Sequence, residues 1–307
     1  MKRMSIVGLC LIAAVAMSAI GAASASAAAP EFGRCLNISP KPGKFKTAAC
    51  TAKATETEKN FEWFPGNGAV AKNGESRPIE KNKFTSKLNA STLATLESEG
   101  GTKITCKTQV LTHPAEITGA KTAGKIQAKY NSCKALGVGC NSTGAAAEEI
   151  VTTELGAEIG FQTGTKPSVK NKAASNIFSA THTGPLAEFA CATLLQVKVH
   201  GSLLHPATVN KMLLAAKETF TAKVGEQAPH KFSTEACAPE GLEQPEGPGT
   251  TKDKTIAEEE NPETHVKECD NHNLISKLET AGKYEESGQS QANTTTDEEP
   301  IEISTLN

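Results

Sequence analysis

Short segments with the pattern of β-strands recur along the chain, and they constrain its fold more than any other feature. The clearest of them are "KITCKTQV", "GKIQAKY", "EEIVTTEL", "EFACATLLQVKVHGSL" and "KETFTAKV". Gly, Pro and Asn separate these segments at intervals of roughly ten residues, which is typical of β-sandwiches and barrels. The pattern predicts an all-β, mainly antiparallel fold, with a sandwich or barrel-like main domain.

Two segments predict particular strands, and a third segment fits either a strand or a helix. "TLATLESEGGTKITCKTQV" reads as a strand, a Glu-Gly-Gly turn and a second strand. The C-terminal "IEIST" alternates and predicts a last strand. "VNKMLLAAKETF" fits a helix face as well as a strand, and we favour a strand in its C-terminal half.

The first residues have the pattern of a secretory signal peptide. Lys2 and Arg3 precede an apolar stretch from Ser5 to Ile20, and small residues with A-x-A spacing follow. We expect cleavage after Ala27. The apolar stretch is shorter than the roughly 20 residues that a membrane span needs, and no later stretch approaches that length. The chain is therefore predicted to be secreted or held at the cell surface, with no membrane span.

The charged residues exclude some classes of function. Beyond the signal peptide the arginines are Arg34 and Arg77, and the remaining basic residues are lysines. Readers of nucleic acid rely on arginine for bidentate contacts, so a nucleic-acid partner is not expected. The aspartates are also few and scattered, which disfavours a calcium loop.

The cysteines predict disulfides, because their even number beyond the signal peptide suits an oxidising compartment. The eight candidates are Cys35, Cys50, Cys106, Cys133, Cys140, Cys191, Cys237 and Cys269. The pairing that we favour most is Cys133 with Cys140, because Gly137 and Gly139 allow the chain between them to reverse direction. We then favour Cys35 with Cys50, Cys106 with Cys191, and Cys237 with Cys269.

The densest aromatic group of the chain lies in "FEWFPG" and contains Phe61, Trp63 and Phe64. In a chain with so few aromatic residues, such a group is more often a core anchor than a platform for a ligand. Both interpretations stay open at this point, and the three residues are the candidates for a binding site.

The composition divides the chain into five parts. Residues 1–27 are the signal peptide, 28–75 a small disulfide-bearing N-terminal β subdomain, and 76–237 the main β domain. Residues 238–272, rich in Pro, Gly and Glu, are predicted to be a mobile acidic loop. Residues 273–307 are predicted to hold C-terminal strands and a polar tail. A weak internal similarity also relates "ITCKTQV" to "FACATLLQV", each with an apolar–small–Cys start.

Catalytic motifs are missing from the sequence. It contains no G-x-S-x-G, H-E-x-x-H, S-x-x-K, phosphate-binding loop or dinucleotide fingerprint. The glutamates are too numerous for any pair to be chosen as catalytic. We therefore predict no catalytic residue, no metal ligand and no cofactor.

Four stretches together resemble one family of sequences. They are "PEFGRC" with the following "FEWFPG"; "LATLES" with "GTKITC"; "YNSCKALGVGCNST" with "EEIVTTELGAEIG"; and "GQSQANTTTDEEPIEI". The set is similar to uncharacterised secreted proteins of soil actinobacteria, of the Solirubrobacter and Conexibacter kind. The resemblance implies export and a β-rich fold, and it implies no activity. Between Cys237 and Asn273 this chain is longer than the family pattern, which leaves the pairing of Cys237 with Cys269 open.

The sequence thus predicts an exported, non-enzymatic β protein of the cell envelope or extracellular space, with a structural or adhesive role. Its expected partner is a cell-wall or extracellular polysaccharide or a protein. The alternative is a secreted carbohydrate-binding module or glycoside hydrolase with a groove near Trp63.

Overall fold

The computed structural model is all-β, as the sequence predicts. It describes residues 30–40, 42–55, 60–163, 172–181, 184–193, 195–222, 224, 231–233, 275–278 and 283–305. Twenty-one strands and no helix occur in these ranges, and every strand pairing is antiparallel. The predicted signal peptide, the predicted loop 238–272, and Cys237 and Cys269 lie outside the described residues.

The strands are short, with one exception at the C-terminus. The first eleven are β1 (Glu31–Asn37), β2 (Phe61–Pro65), β3 (Lys83–Leu88), β4 (Ala94–Ser98), β5 (Lys103–Cys106), β6 (Thr108–Leu111), β7 (Ala115–Ile117), β8 (Thr122–Ile126), β9 (Ala128–Asn131), β10 (Lys134–Ala135) and β11 (Val138–Asn141). The others are β12 (Glu149–Val151), β13 (Leu155–Thr163), β14 (Lys172–Ser179), β15 (Ala187–Cys191), β16 (Leu195–His200), β17 (Ser202–Pro206), β18 (Leu213–Ala222), β19 (Lys231–Ser233), β20 (Ile275–Leu278) and β21 (Lys283–Ser304).

Strand β21 organises the sheet because it pairs along its whole length. Its successive segments pair with β20, β4, β18, β3 and β1. Threonine-rich sequence of this kind suits a strand, since β-branched side chains pack well on a pleated surface. Pro300 has no N–H to donate, and it lies where the register with β18 shifts, between the pairs Ala215–Thr296 and Leu213–Ile301.

The pairings form a closed ring of eight strands. From β21 the ladder runs through β4, β5, β10, β11, β15, β16 and β20, and β20 pairs with β21 again. A second series of ladders leaves β21 through β3, β7, β8, β13, β14 and β17. The two series enclose one large apolar core, which includes Ile104, Ile150, Phe189, Leu203 and Phe220.

The N-terminal strands form a small unit of their own. β1 pairs with β2, and a disulfide with an S–S distance of 2.07 Å joins Cys35 to Cys50, as predicted. This unit is not detached from the rest, because Glu31 pairs with Ser304 at the end of β21.

Several local predictions are confirmed. β4 and β5 form the expected hairpin, and Gly101 in its turn has a φ of +80°. The ambiguous segment 209–220 ends in strand β18, and the C-terminal alternation belongs to β21. The strand that includes this alternation begins at Lys283, much earlier than "IEIST" indicates.

Two predicted disulfides are wrong. Cys133 is bonded to Cys106 and Cys140 is bonded to Cys191, so neither the Cys133–Cys140 nor the Cys106–Cys191 pair exists. The chain does reverse between Cys133 and Cys140, through a two-residue turn at Leu136 and Gly137 with φ values of +50° and +82°. The two cysteines then lie opposite each other in the hairpin.

The geometry of the hairpin explains the correction. The Cys140 N–H donates to the Cys133 carbonyl at 2.9 Å, so a backbone hydrogen bond already joins these two residues. On their outer sides, Cys133 and Cys140 face Cys106 and Cys191 with Cα–Cα distances of 4.0 and 3.9 Å. Non-hydrogen-bonded pairs bring side chains closer than hydrogen-bonded ones. Cys133 and Cys140 are therefore closer to Cys106 and Cys191 than to each other, and they form their disulfides with these outer neighbours.

A helix of the length and apolarity needed to cross a membrane is not found in the described part of the chain.

Candidate functional site

Two of the three aromatic candidates, Trp63 and Phe64, are interior residues of the N-terminal unit. Trp63 is 5% exposed and packs against the Cys35–Cys50 disulfide. Its indole Nε1–H donates to Glu31 Oε1 at 2.9 Å. Phe64 is fully buried on the other face of β2, and the Arg77 guanidinium lies over its ring at 5.0 Å from the centroid.

The packing around Trp63 leaves no room for a ligand on its indole. A Cβ at Gly33 would lie 2.4 Å from Cζ2 of Trp63, so the backbone of β1 already touches the ring. Phe61 is half-buried and packs against the same cluster. Trp63 and Phe64 therefore behave as core anchors, and Phe61 packs at the edge of the same cluster.

A different part of the molecule has the shape of a binding site. A cavity of about 160 Å³ lies in the large core, between β21 and the strands across from it. We call it the amide cavity. Its apolar wall includes Leu96, Ile104, Ile126, Tyr130, Ile150, Leu155, Ile177, Phe189, Val199, Leu203 and Phe220. Its volume is close to the roughly 150 Å³ of an engineered protein cavity that binds benzene.

One strand gives this apolar cavity a polar side. Side chains alternate between the two faces of a strand, so every second residue of β21 faces the interior. The inward residues of this stretch are Gln289, Gln291, Asn293 and Thr295, and all four line the amide cavity. The residues between them are smaller or more exposed, as in Ser290 and Ala292.

Most of these polar groups are already paired. Gln291 Oε1 accepts hydrogen bonds from the Tyr130 hydroxyl at 3.3 Å and from Gln289 Nε2 at 3.2 Å. Burial raises the pKa of Tyr130, so its phenol stays protonated and remains a donor at neutral pH. These contacts hold the carboxamide of Gln291 in one orientation.

Asn293 is the exception. Its Nδ2 donates to Gln109 Oε1 at 3.0 Å and to Ser86 Oγ at 3.3 Å. Its Oδ1 has no hydrogen-bond partner among the described residues, although the side chain is only 4% exposed. A buried acceptor of this kind is unfavourable by about 1–3 kcal/mol unless something donates to it. Asn293, which lines the amide cavity, thus contains a fixed, unpaired acceptor.

A second cavity of about 140 Å³ adjoins the first. We call it the carboxyl cavity. The two share Ile126, Ile177, Glu218 and Thr295 in their walls, and Asp297 and His205 line the carboxyl cavity alone. The Thr295 hydroxyl donates to Glu218 Oε2 at 2.8 Å, which fixes that carboxylate between the two cavities.

The ionisable groups of the carboxyl cavity have displaced pKa values. Burial, with a further contribution from the Glu218 charge, raises the pKa of Asp297 to about 7. Burial lowers the pKa of His205, whose ring packs on Phe220 with 4.3 Å between centroids. At neutral pH the imidazole is therefore neutral, and it supplies no positive charge to the two carboxyls.

No group of three His, Cys, Asp or Glu side chains in the described ranges is arranged to hold a metal ion.

Sequence reasoning missed these residues. The tail from Ser287 to Asp297 reads as merely polar, and its alternation of long carboxamides with smaller residues is the signal that could have revealed an inward-facing strip. The carboxyl pair of Glu218 and Asp297 was hidden among many glutamates.

The fold and the two cavities together define a disulfide-linked, all-β protein with an amphipathic interior. Comparisons of the chain with protein-family models, with curated proteins and with solved structures return no match.

Proposed function

We propose that this chain is an exported, non-enzymatic β protein that binds a small, mainly apolar molecule inside its core. The observation that carries the proposal is Asn293, which lines a mainly apolar cavity and whose buried Oδ1 is an unpaired acceptor. A ligand with an apolar body and one donor group would fill the space and satisfy this acceptor. The ligand would be about the size of a single ring or a short alkyl chain.

Export and location in the cell envelope or extracellular space are part of the proposal. The three disulfides among the described residues are compatible with an oxidising compartment. The pattern of residues 1–27 and the resemblance to secreted proteins of soil actinobacteria support the same location.

A structural or adhesive role is the second candidate. It is favoured by the row of Cys106, Cys133, Cys140 and Cys191, whose disulfides link β5 to the segment before β10 and link β11 to β15. Such cross-links suit a protein that must survive outside the cell. The carbohydrate-binding or hydrolase alternative relies on an open groove at Trp63, and the burial of this indole gives it no support.

The test is a calorimetric titration of the oxidised protein with octanol. Octanol has an apolar chain and one hydroxyl donor. Ala128→Leu places a larger side chain in the amide cavity and is expected to weaken binding by about tenfold or more. Since cavity-filling substitutions commonly stabilise a protein, the melting temperature should not fall.

The matched control is Ala215→Leu, which adds the same atoms at an exposed position of β18. It should bind octanol as the parent does. Absence of octanol binding to the parent protein, or equal affinity in both variants, would contradict the proposed site.

A further inference from the structure

We propose that the natural ligand is an organic amine, bound as its ammonium ion with its apolar body in the amide cavity and its charged group in the carboxyl cavity. This inference rests on the proposed binding function, and it specifies the chemistry of the ligand.

The polar wall of the carboxyl cavity contains two carboxyl acceptors, those of Glu218 and Asp297. An ammonium group has three donors and no acceptor. It therefore matches this wall better than a hydroxyl, which has one donor, and far better than a carboxylate.

The charged groups around the carboxyl cavity also favour a cationic ligand. Lys211 is the lysine in the wall of the carboxyl cavity, and it is exposed at the surface of the molecule. Among the described residues, no salt bridge within 4.0 Å joins Glu218 or Asp297 to a lysine or arginine. The two carboxyls thus form a negative site that a bound cation can neutralise.

The connection between the cavities sets the shape of the ligand. Glu218 and Thr295 line both, so a charged group beside Glu218 can continue into an apolar chain beside Ile126 and Ile177. Charge-assisted hydrogen bonds are about twice as strong as neutral ones. The amine should therefore be preferred over an alcohol of the same length.

The pKa of Asp297 supports the same assignment. Because burial raises it to about 7, the carboxyl ionises just above neutral pH, where an alkylammonium ion is still protonated. Glu218 on β18 adds negative charge to this site, His205 on β17 is neutral, and Lys211 lies at its outer side. Glu302 on β21 also lines the carboxyl cavity, and burial raises its pKa to about 8. Amine affinity should then rise between about pH 6 and about pH 8.

The experiment compares octylamine, octanol and octanoate as ligands of the full oxidised protein, by calorimetry at about pH 8. We expect octylamine to bind about tenfold or more tightly than octanol, and octanoate to bind least. The double variant E218Q/D297N should lose the preference for the amine while it still binds octanol. The control E97Q/E298Q removes two exposed charges and should keep the preference, which separates the cavity from net charge.

The outcomes distinguish the two proposals. If octanol and octylamine bind equally well to the parent protein, the amine inference is wrong and the apolar binding function stands. If none of the three ligands binds, the proposed function fails and the inference fails with it. If E218Q/D297N no longer folds, judged by circular dichroism, the single variant D297N replaces it, with the same expected loss of preference.

Discussion

Cys133 and Cys140 are neighbours across a tight hairpin, joined by a backbone hydrogen bond of 2.9 Å, and yet each forms its disulfide with a cysteine on its other side. The four cysteines Cys106, Cys133, Cys140 and Cys191 thus form one row across adjacent strands. All four are buried in the large core. The row fixes one wall of the amide cavity, because Cys106, Ile104 and Phe189 are part of that wall.

Peptide mapping can verify this connectivity directly. Trypsin cleaves after Lys134, between the two cysteines of the hairpin, so it separates Cys133 from Cys140. Under non-reducing conditions we expect the peptide "ITCK" (104–107) to be linked to "YNSCK" (130–134). Recovery of "YNSCK" bonded to the peptide that begins at Ala135 would instead establish the local bridge and contradict the row.

Removal of either disulfide of the row should destabilise the whole fold. The cross-links close segments of 27 and 51 residues, for which the loop-entropy relation gives about 3.5 and about 4 kcal/mol. The double variants C106S/C133S and C140S/C191S are expected to lower the free energy of unfolding by these amounts in urea titrations. If each double variant lowers the free energy of unfolding by less than about 1 kcal/mol, the disulfides contribute little and packing alone holds these strands together.

The disulfides illustrate how far the sequence can predict this structure. Short segments with alternating or Thr-rich patterns predict strands because these patterns are local. The reversal at Gly137 is also local. Which cysteine lies on the outer side of Cys133 depends on the pairing of β10 with β5, a contact between distant parts of the chain, and no local pattern specifies it.

The two weakly similar segments "ITCKTQV" and "FACATLLQV" occupy equivalent places in the structure. Cys106 ends β5 and Cys191 ends β15, and the two strands occupy the outer positions of the cysteine row. Ile104 and Phe189, two residues before each cysteine, both line the amide cavity. The cavity itself could not be predicted, because its lining comes from strands throughout the chain.

Trp63 should contribute strongly to stability. It is buried against the Cys35–Cys50 disulfide, and truncation of such an aromatic side chain usually costs about 3–5 kcal/mol. We expect Trp63→Ala to lower the free energy of unfolding by that amount. Leu136→Ala is the matched control, because Leu136 is 83% exposed and its loss should be nearly neutral. A variant of Trp63 that melts like the parent and fails to bind a polysaccharide would restore the platform interpretation.

Export can be tested at the N-terminus. The A-x-A pattern at Ala25 to Ala27 predicts cleavage after Ala27. Mass spectrometry of the culture supernatant is expected to show a chain that starts near Ala28 to Pro30. Full-length protein that starts at Met1 and stays in the membrane fraction would contradict the predicted location, and with it the reason to expect oxidised cysteines.

Glu302 should make the stability of the protein depend on pH. This residue pairs with Gly33 of β1, on the face of the N-terminal unit that also contains Glu31 and Trp63. It is 1% exposed, and neither carboxyl oxygen has a hydrogen-bond partner within the described ranges. Burial raises its pKa from an ordinary 4.5 to about 8, so the folded protein holds this proton more tightly than the unfolded chain does.

The sign of the effect follows from proton linkage. Because the folded-state pKa is the higher one, the stabilisation by the neutral carboxyl is complete below about pH 4.5 and is lost as the pH rises towards 8. Glu302→Gln keeps a neutral side chain of the same size at every pH. The variant and the parent should therefore melt at similar temperatures near the lower end of this window, and the variant should melt higher above about pH 8.

Glu298→Gln, an exposed change on the same strand, should follow the parent curve throughout. Thermal unfolding followed by circular dichroism across this range is the measurement. Parallel curves for the parent and Glu302→Gln would show that the Glu302 carboxyl is not held neutral in the folded protein.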